Sequence, residues 1–241
     1  FRLMAIISIA VTLGVAALLF GTGRTGFVIF IVFLLVNQFQ ILQASSRRPG
    51  KSAIRSVDVE STAWQTGRPG LLEPGQRLSP WFEAHRARLQ GDVGGAMGVV
   101  LADLRSPTPG RWMPPVAATA EQLRAVVDTL PAELPRAGNE YSAAVMADVL
   151  LATGEVQRAG EFAATAFGDH RTSTLATTVA RSAAAMGDSA NAVRWLGAAS
   201  NAAIDESDGH RRLLARTMDT APEFTALRVD PTFTALRGEL V

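Results

Sequence analysis

Two segments of this sequence carry the same turn in the same setting, and that coincidence narrows the folds open to the chain. The stretch 141–167 reads as two helices around Thr153-Gly154-Glu155, and 174–203 reads as two helices around Met186-Gly187-Asp188. The turn glycines stand 33 residues apart, and each opens the pattern Gly-acidic-x-x-x-Ala: Gly154-Glu155…Ala159 and Gly187-Asp188…Ala192. A third copy lies at Gly91-Asp92…Ala96, 63 residues before the second. Glycine takes the left-handed backbone that ends a helix without steric cost. The acidic residue opens the next helix, where the macrodipole favours negative charge. The alanine after the glycine, and another small residue seven positions before it (Ala84, Ala147, Ala180), let the paired helices approach closely. The pattern predicts antiparallel helical hairpins over 80–104, 141–167 and 174–203.

The spacing and the paired small positions resemble tetratricopeptide repeats, whose period is about 34 residues. The usual aromatic and proline positions of that family are mostly missing here, and 63 is not a multiple of 33; an alanine-rich helical bundle without repeat ancestry is the other reading. The resemblance implies an all-α chain with an α-solenoid of antiparallel helix pairs, whose first helices line a concave surface that binds peptides or partner domains. In that register Trp81, His85 and Arg88, then Tyr141 and Asp148, then Arg181 face the common surface. The same face has a second reading, as a seat for the linker or for a part of the protein outside these residues.

The N-terminal end is of another kind. Leu3–Phe20 is free of charge, Gly21-Thr-Gly-Arg-Thr-Gly26 interrupts it, and Phe27–Val36 is wholly apolar, with apolar character continuing through Phe39, Ile41 and Leu42. Each run approaches the roughly 20 residues that span a bilayer core. The glycine loop makes them antiparallel, so residues 1–44 are expected to form a transmembrane helical hairpin in contact with membrane lipid. Phe1, in place of an initiator methionine, leads to the expectation of processing or of a longer parent chain. A cleaved signal peptide fits less well, because a second apolar run follows with no small-residue cleavage site between. Arg47, Arg48, Lys51 and Arg55 follow the second run, against Arg24 alone in the turn. The positive-inside rule then places the C-terminal domain in the cytoplasm and the chain in the cell membrane as a multi-pass protein. Asn37, Gln38 and Gln40 form an amide cluster at the end of the second run, suited to headgroups or to hydrogen bonds with other transmembrane helices.

Residues 45–79 read as a linker rich in Gly, Pro, Ser and Arg, with turn signals at Arg47-Arg48-Pro49-Gly50, Arg68-Pro69-Gly70 and Glu73-Pro74-Gly75. Val57-Asp58-Val59 alternates as a short strand would. Trp64 docks either on the helical domain or at the membrane interface. The helical-repeat domain is expected over 80–241. Ser79-Pro80 starts its first helix, Thr119-x-x-Gln122 resembles a capping box, and Leu123, Val126, Val127 and Leu130 form an apolar stripe ahead of Pro131 and Pro135. Asn139 caps the following hairpin. Asp208–Asp219 is expected as a further helix with Leu213, Leu214 and Met218 inward. The tail then repeats Phe224-Thr-Ala-Leu-Arg228 as Phe233-Thr-Ala-Leu-Arg237 around Asp230-Pro231. Residues 222–241 read as the cap that covers the last open face of the array.

Charge and chemistry exclude several functions. Residues 1–80 hold eight Lys/Arg and three Asp/Glu; residues 81–241 hold fifteen Arg and nineteen Asp/Glu. A mildly acidic helical domain argues against a nucleic-acid partner. The absence of cysteine removes disulfides and thiolate-bound metals. The three histidines, His85, His170 and His210, lack metal-ligand spacing, and no phosphate loop or nucleophile elbow is present. Nothing here calls for a cofactor, and Glu83 with His85 reads as a solvated helix face. The favoured expectation is a membrane-anchored scaffold that binds protein partners at the cytoplasmic membrane face. The alternative rests on a second resemblance: the apolar segments, Asn37-Gln38-Phe39-Gln40 and the alanine-rich helical tail are similar to the C-terminal part of actinobacterial site-2-type membrane zinc proteases. That resemblance implies a regulatory tail, without the zinc-binding His-Glu-x-x-His. Reporter fusions at Gly23 and Gly209 are expected to lie on opposite sides of the membrane, the second cytoplasmic. Both on one side would remove the hairpin.

Overall fold

The structure is a computed structural model that describes residues 51–70, 72, 77–108 and 118–240. All regular structure among these residues is helical. The elements are α1 (Lys51–Thr66), α2 (Pro80–Leu89), α3 (Val93–Arg105), α4 (Ala120–Val127), α5 (Glu140–Ala152), α6 (Val156–Asp169), α7 (Ser173–Ala185), α8 (Ser189–Glu206), α9 (Asp208–Thr220), a 3-10 helix (Pro222–Val229) and α10 (Pro231–Glu239). A compact unit spans Ser56–Val241. No helix among the described residues is long and apolar enough to cross a membrane. The expected transmembrane hairpin over 1–44, with Asn37, Gln38 and Gln40, lies outside the described residues.

The three hairpins stand where the turns put them. Gly91, Gly154 and Gly187 have φ of 82°, 86° and 82°, the left-handed region that L side chains avoid. Asp92 and Asp188 then serve as N-caps, accepting from Gly95 N at 2.7 Å and Asn191 N at 3.0 Å. Glu155, one methylene longer, makes no such cap bond. Around each turn the small positions are fully buried: Ala84 and Ala96, Ala147 and Ala159, Ala180 and Ala192 are all 0 % exposed. α2 packs on α3, α5 on α6 and α7 on α8, while α6 also packs on α7 and α5 lies beside α7. The result is a helical-repeat-like, all-α architecture. One apolar cluster joins α2 to α5, and others run from α5 through α7 and from α7 to the tail.

Between the first and second hairpins, α4 carries the expected capping box. Thr119 Oγ1 accepts from Gln122 N at 3.2 Å, and Gln122 Oε1 accepts from Thr119 N at 2.8 Å. Its stripe of Leu123, Val126 and Val127 is buried, as is Leu130 beyond its end. Asn139 caps α5, accepting from Ser142 N at 2.8 Å and donating to the carbonyl of Ser106 at 2.9 Å. Gly138 is pressed so close to the end of α3 that a Cβ would sit 2.3 Å from the Arg105 carbonyl oxygen.

The expected linker needs correction. Residues 51–66 form α1, and Val57-Asp58-Val59 lies within this helix rather than in a strand. The helix places Glu60 and Trp64 on one face, four residues apart, and both are buried. Trp64 docks on the helical domain: its ring lies 5.4 Å from Phe82 and 5.1 Å from His85. Glu60 accepts from Trp64 Nε1 at 3.0 Å, from Ser79 N at 2.9 Å and from the Ser79 hydroxyl. Gln122 donates to the Trp64 carbonyl at 3.2 Å, tying α1 to α4. Turn residues on both sides concealed this helix, because its partners lie far along the chain.

The C-terminal end folds into two short helices packed against the array. Pro231 separates two short helices, and Asp230 caps the second, accepting from Thr232 N at 2.7 Å and Phe233 N at 3.1 Å. Phe224, Leu227 and Phe233 are buried and Leu236 is half-buried, in one cluster with α7, α8 and α9. Each buried Phe contributes about 1.5–3 kcal/mol relative to exposure. Arg237 grips Asp219 through two bonds, at 2.9 and 2.7 Å. One expectation for α9 fails: Leu214 and Met218 point inward, but Leu213 is 55 % exposed. Adjacent helix positions are about 100° apart, and the inward arc runs through Leu214, Ala215 and Met218. At Gly187 an added Cβ would meet nothing within 4 Å, so a substitution there tests the backbone alone. Gly187→Val is expected to lower stability by roughly 1–3 kcal/mol, read as a reduced thermal midpoint of the chain. An unchanged midpoint would show that the left-handed turn is dispensable.

Candidate functional site

The six residues expected on one concave surface divide into two groups. Trp81 is 0 % and His85 8 % exposed, so neither lines an open surface, and His85 does not belong to a solvated face. The reason is α1, whose Trp64 ring covers His85. Burial, with Arg88 nearby, holds the His85 imidazole below its ordinary value, so it is uncharged at neutral pH. Arg88 is exposed on the same helix. Tyr141, Asp148 and Arg181 belong to the second group and line a groove.

The groove is built from α5, α7 and α9, with α5 and α9 both packed beside α7. It has two hollows. One, of about 160 Å³, is walled by Asp148 of α5, by Thr174, Thr178 and Arg181 of α7, and by Leu213 and Thr217 of α9. The other, of about 330 Å³, lies toward the helix N-termini and is walled by Tyr141, Ala144, Arg171, Glu206 and His210. Thr174 and His210 belong to both. The repeat alignment gives this arrangement a meaning. His85, Asp148 and Arg181 each follow the small alanine of their hairpin by one residue. The position that touches a docked helix in the first hairpin therefore faces the open groove in the next two.

The groove floor is an electrostatic chain. Thr178 donates to Asp148 Oδ1 at 3.1 Å, and Arg181 Nη2 binds Glu223 Oε1 at 2.9 Å. Asp148 has open surface along the groove although protein crowds it on most sides. The open surface decides whether a ligand can reach it; the crowding governs its affinity for a proton. That crowding raises the Asp148 carboxyl above its ordinary value, against smaller opposing effects from Thr178 and Arg181. Desolvation likewise raises the Tyr141 hydroxyl. At the other end Glu206 closes the start of α7, accepting from Ser173 N at 2.8 Å and from the Ser173 hydroxyl at 2.6 Å. No group of acidic and histidine side chains among the described residues is arranged to hold a metal ion.

A further hollow of about 300 Å³ lies away from this groove, between the extended segment 132–137 and α6. That segment is clamped at both ends, where Arg158 donates to the Pro131 carbonyl and Arg136 pairs with Asp169 at 3.2 Å. It serves to fix a connection against its helix. No protein-family model, curated protein or solved structure matches this chain.

Sequence reasoning missed the α9 wall, His210, Leu213 and Thr217, and the Glu223 partner of Arg181. α9 stands where a fourth first helix would, but it ends in Asp219-Thr220-Ala221-Pro222 instead of a Gly-acidic turn, so the repeat signature passes over it. The Asp148 environment has a consequence for stability. The folded chain holds the Asp148 proton more tightly than the unfolded chain does, so stability is lost as the pH rises and this group ionises. Asp148→Asn is therefore expected to raise the thermal midpoint at pH 7. The gain should shrink as the pH falls through the carboxylate range. A gain that does not change with pH would exclude this origin.

Proposed function

We propose that this chain is a partner-binding helical-repeat protein, an α-solenoid of tetratricopeptide-like helix pairs that holds a polypeptide segment in the α5–α7–α9 groove. One observation carries the reading. The chain seats its own helix α1 on the first hairpin at His85, and the matching positions of the next two hairpins, Asp148 and Arg181, face a groove with no segment of the described chain in it. The exposed Leu213 supplies an apolar contact, and threonines supply hydroxyls for a bound backbone, the mix of apolar wall and few polar groups that binding sites use. The apolar runs at 3–20 and 27–36 and the basic residues after them support a membrane anchor that holds the groove at the cytoplasmic face.

The test is selection of a random twelve-residue phage-displayed peptide library on the purified full chain. Recovered peptides should bind the parent chain and lose at least tenfold in affinity to Thr174→Trp and to Thr217→Trp, which fill the groove from two helices. A Trp at Glu161, outside the groove, should leave binding in place. Peptides indifferent to both groove variants would overturn the reading.

A further inference from the structure

The groove also carries information about what it holds, and this step rests on the reading just given. Asp148 is the one carboxylate that lines the smaller hollow, and it has no ion-pair partner among the described residues. Arg181, which lines the same hollow, directs its guanidinium to Glu223 at 2.9 Å instead, and Thr178 supplies Asp148 with a neutral hydrogen bond. The remaining ionisable group there, His210, lies beside Ser207 at 2.9 Å and Glu206 at 3.6 Å. The larger hollow adds Glu140 and Glu206 against Arg171. With Asp148, three carboxylates and two arginines line the groove, so carboxylates outnumber guanidinium groups there.

The place of the unpaired carboxylate matters as much as its sign. Asp148 is accessible along the groove, yet protein surrounds it more closely than it does an ordinary surface carboxylate. Water reaches Asp148 along the groove, and a bound cation that displaces this water forms a stronger ion pair than one on an open surface. Its counterpart in the first hairpin, His85, is the residue on which the docked α1 lays the ring of Trp64. The repeat position occupied by Asp148 is thus one that touches a bound segment.

We infer that the partner presents a lysine or arginine whose cation seats against Asp148, next to an apolar side chain resting on Leu213. An acidic partner would meet Asp148, Glu140 and Glu206 in turn and be repelled.

The experiment uses the full chain and the peptides recovered as groove-dependent. These should be enriched in lysine or arginine and in an apolar residue at a fixed spacing. Asp148→Asn should weaken their binding about tenfold, as should replacement of the enriched cation by glutamine. Each change should have little further effect once the other is present. Glu161→Gln, a carboxylate outside the groove, should change nothing, which separates a seated cation from general attraction. Affinity should fall as salt rises, less steeply for Asp148→Asn. Groove-dependent peptides that lack a cation, or that bind Asp148→Asn as well as the parent chain, would overturn this inference and leave the groove reading intact. Recovery of no groove-dependent peptide would overturn both.

Discussion

The close approach of paired helices at alanine governs how this chain is assembled. Six alanines flanking three glycine turns are fully buried; a larger side chain at any of them would push the helices apart and open the core between them. The approach requires the chain to reverse within a few residues. A left-handed glycine makes that possible at Gly91, Gly154 and Gly187. The following acidic residue then starts the next helix against its own dipole. The second and third hairpins then stack with α6 on α7 and α5 beside α7. A surface made of first helices is the geometric consequence, and the groove lies on it.

Helix starts are the second theme. Two serines at helix N-termini are each gripped by a glutamate from a different element: Ser79 by Glu60 of α1, and Ser173 by Glu206 at the end of α8. In both cases one carboxylate takes a backbone N–H and the serine hydroxyl. The carboxylate satisfies a donor that the helix itself cannot, and its charge faces the positive end of the helix dipole. The two contacts differ in what they hold. Glu206 joins neighbouring repeat helices, whereas Glu60 fastens α1, a helix outside the repeats, over the first hairpin. That fastening makes His85 a core residue, covered by Trp64.

Much of the groove was legible before the structure. The resemblance to tetratricopeptide repeats sets Tyr141, Asp148 and Arg181 on a common surface, and all three line the groove. Helix periodicity and a fixed turn together determine which side chains share a face. At Trp81 and His85 that face is buried, His85 beneath Trp64 of α1. The repeat pattern does not mark the expected helix α9 as a groove wall, since no turn signature follows it, nor Glu223, whose contact with Arg181 spans 42 residues.

Local chemistry therefore determined the hairpins, their turns, their caps and the two short helices of the tail, since each depends on residues within about one helical turn of one another. Asp92, Thr119, Asn139, Asp188 and Asp230 all cap helices through neighbours two or three residues on. The tertiary structure decided what lies over each face. Glu60 meets Ser79 across 19 residues, Gln122 meets Trp64 across 58, and α9 closes the groove beside α7. Such contacts join segments whose separation leaves no periodic trace, so they follow from shape and unsatisfied polar groups meeting in space. That is why one set of equivalent positions became core in the first hairpin and an open groove in the next two.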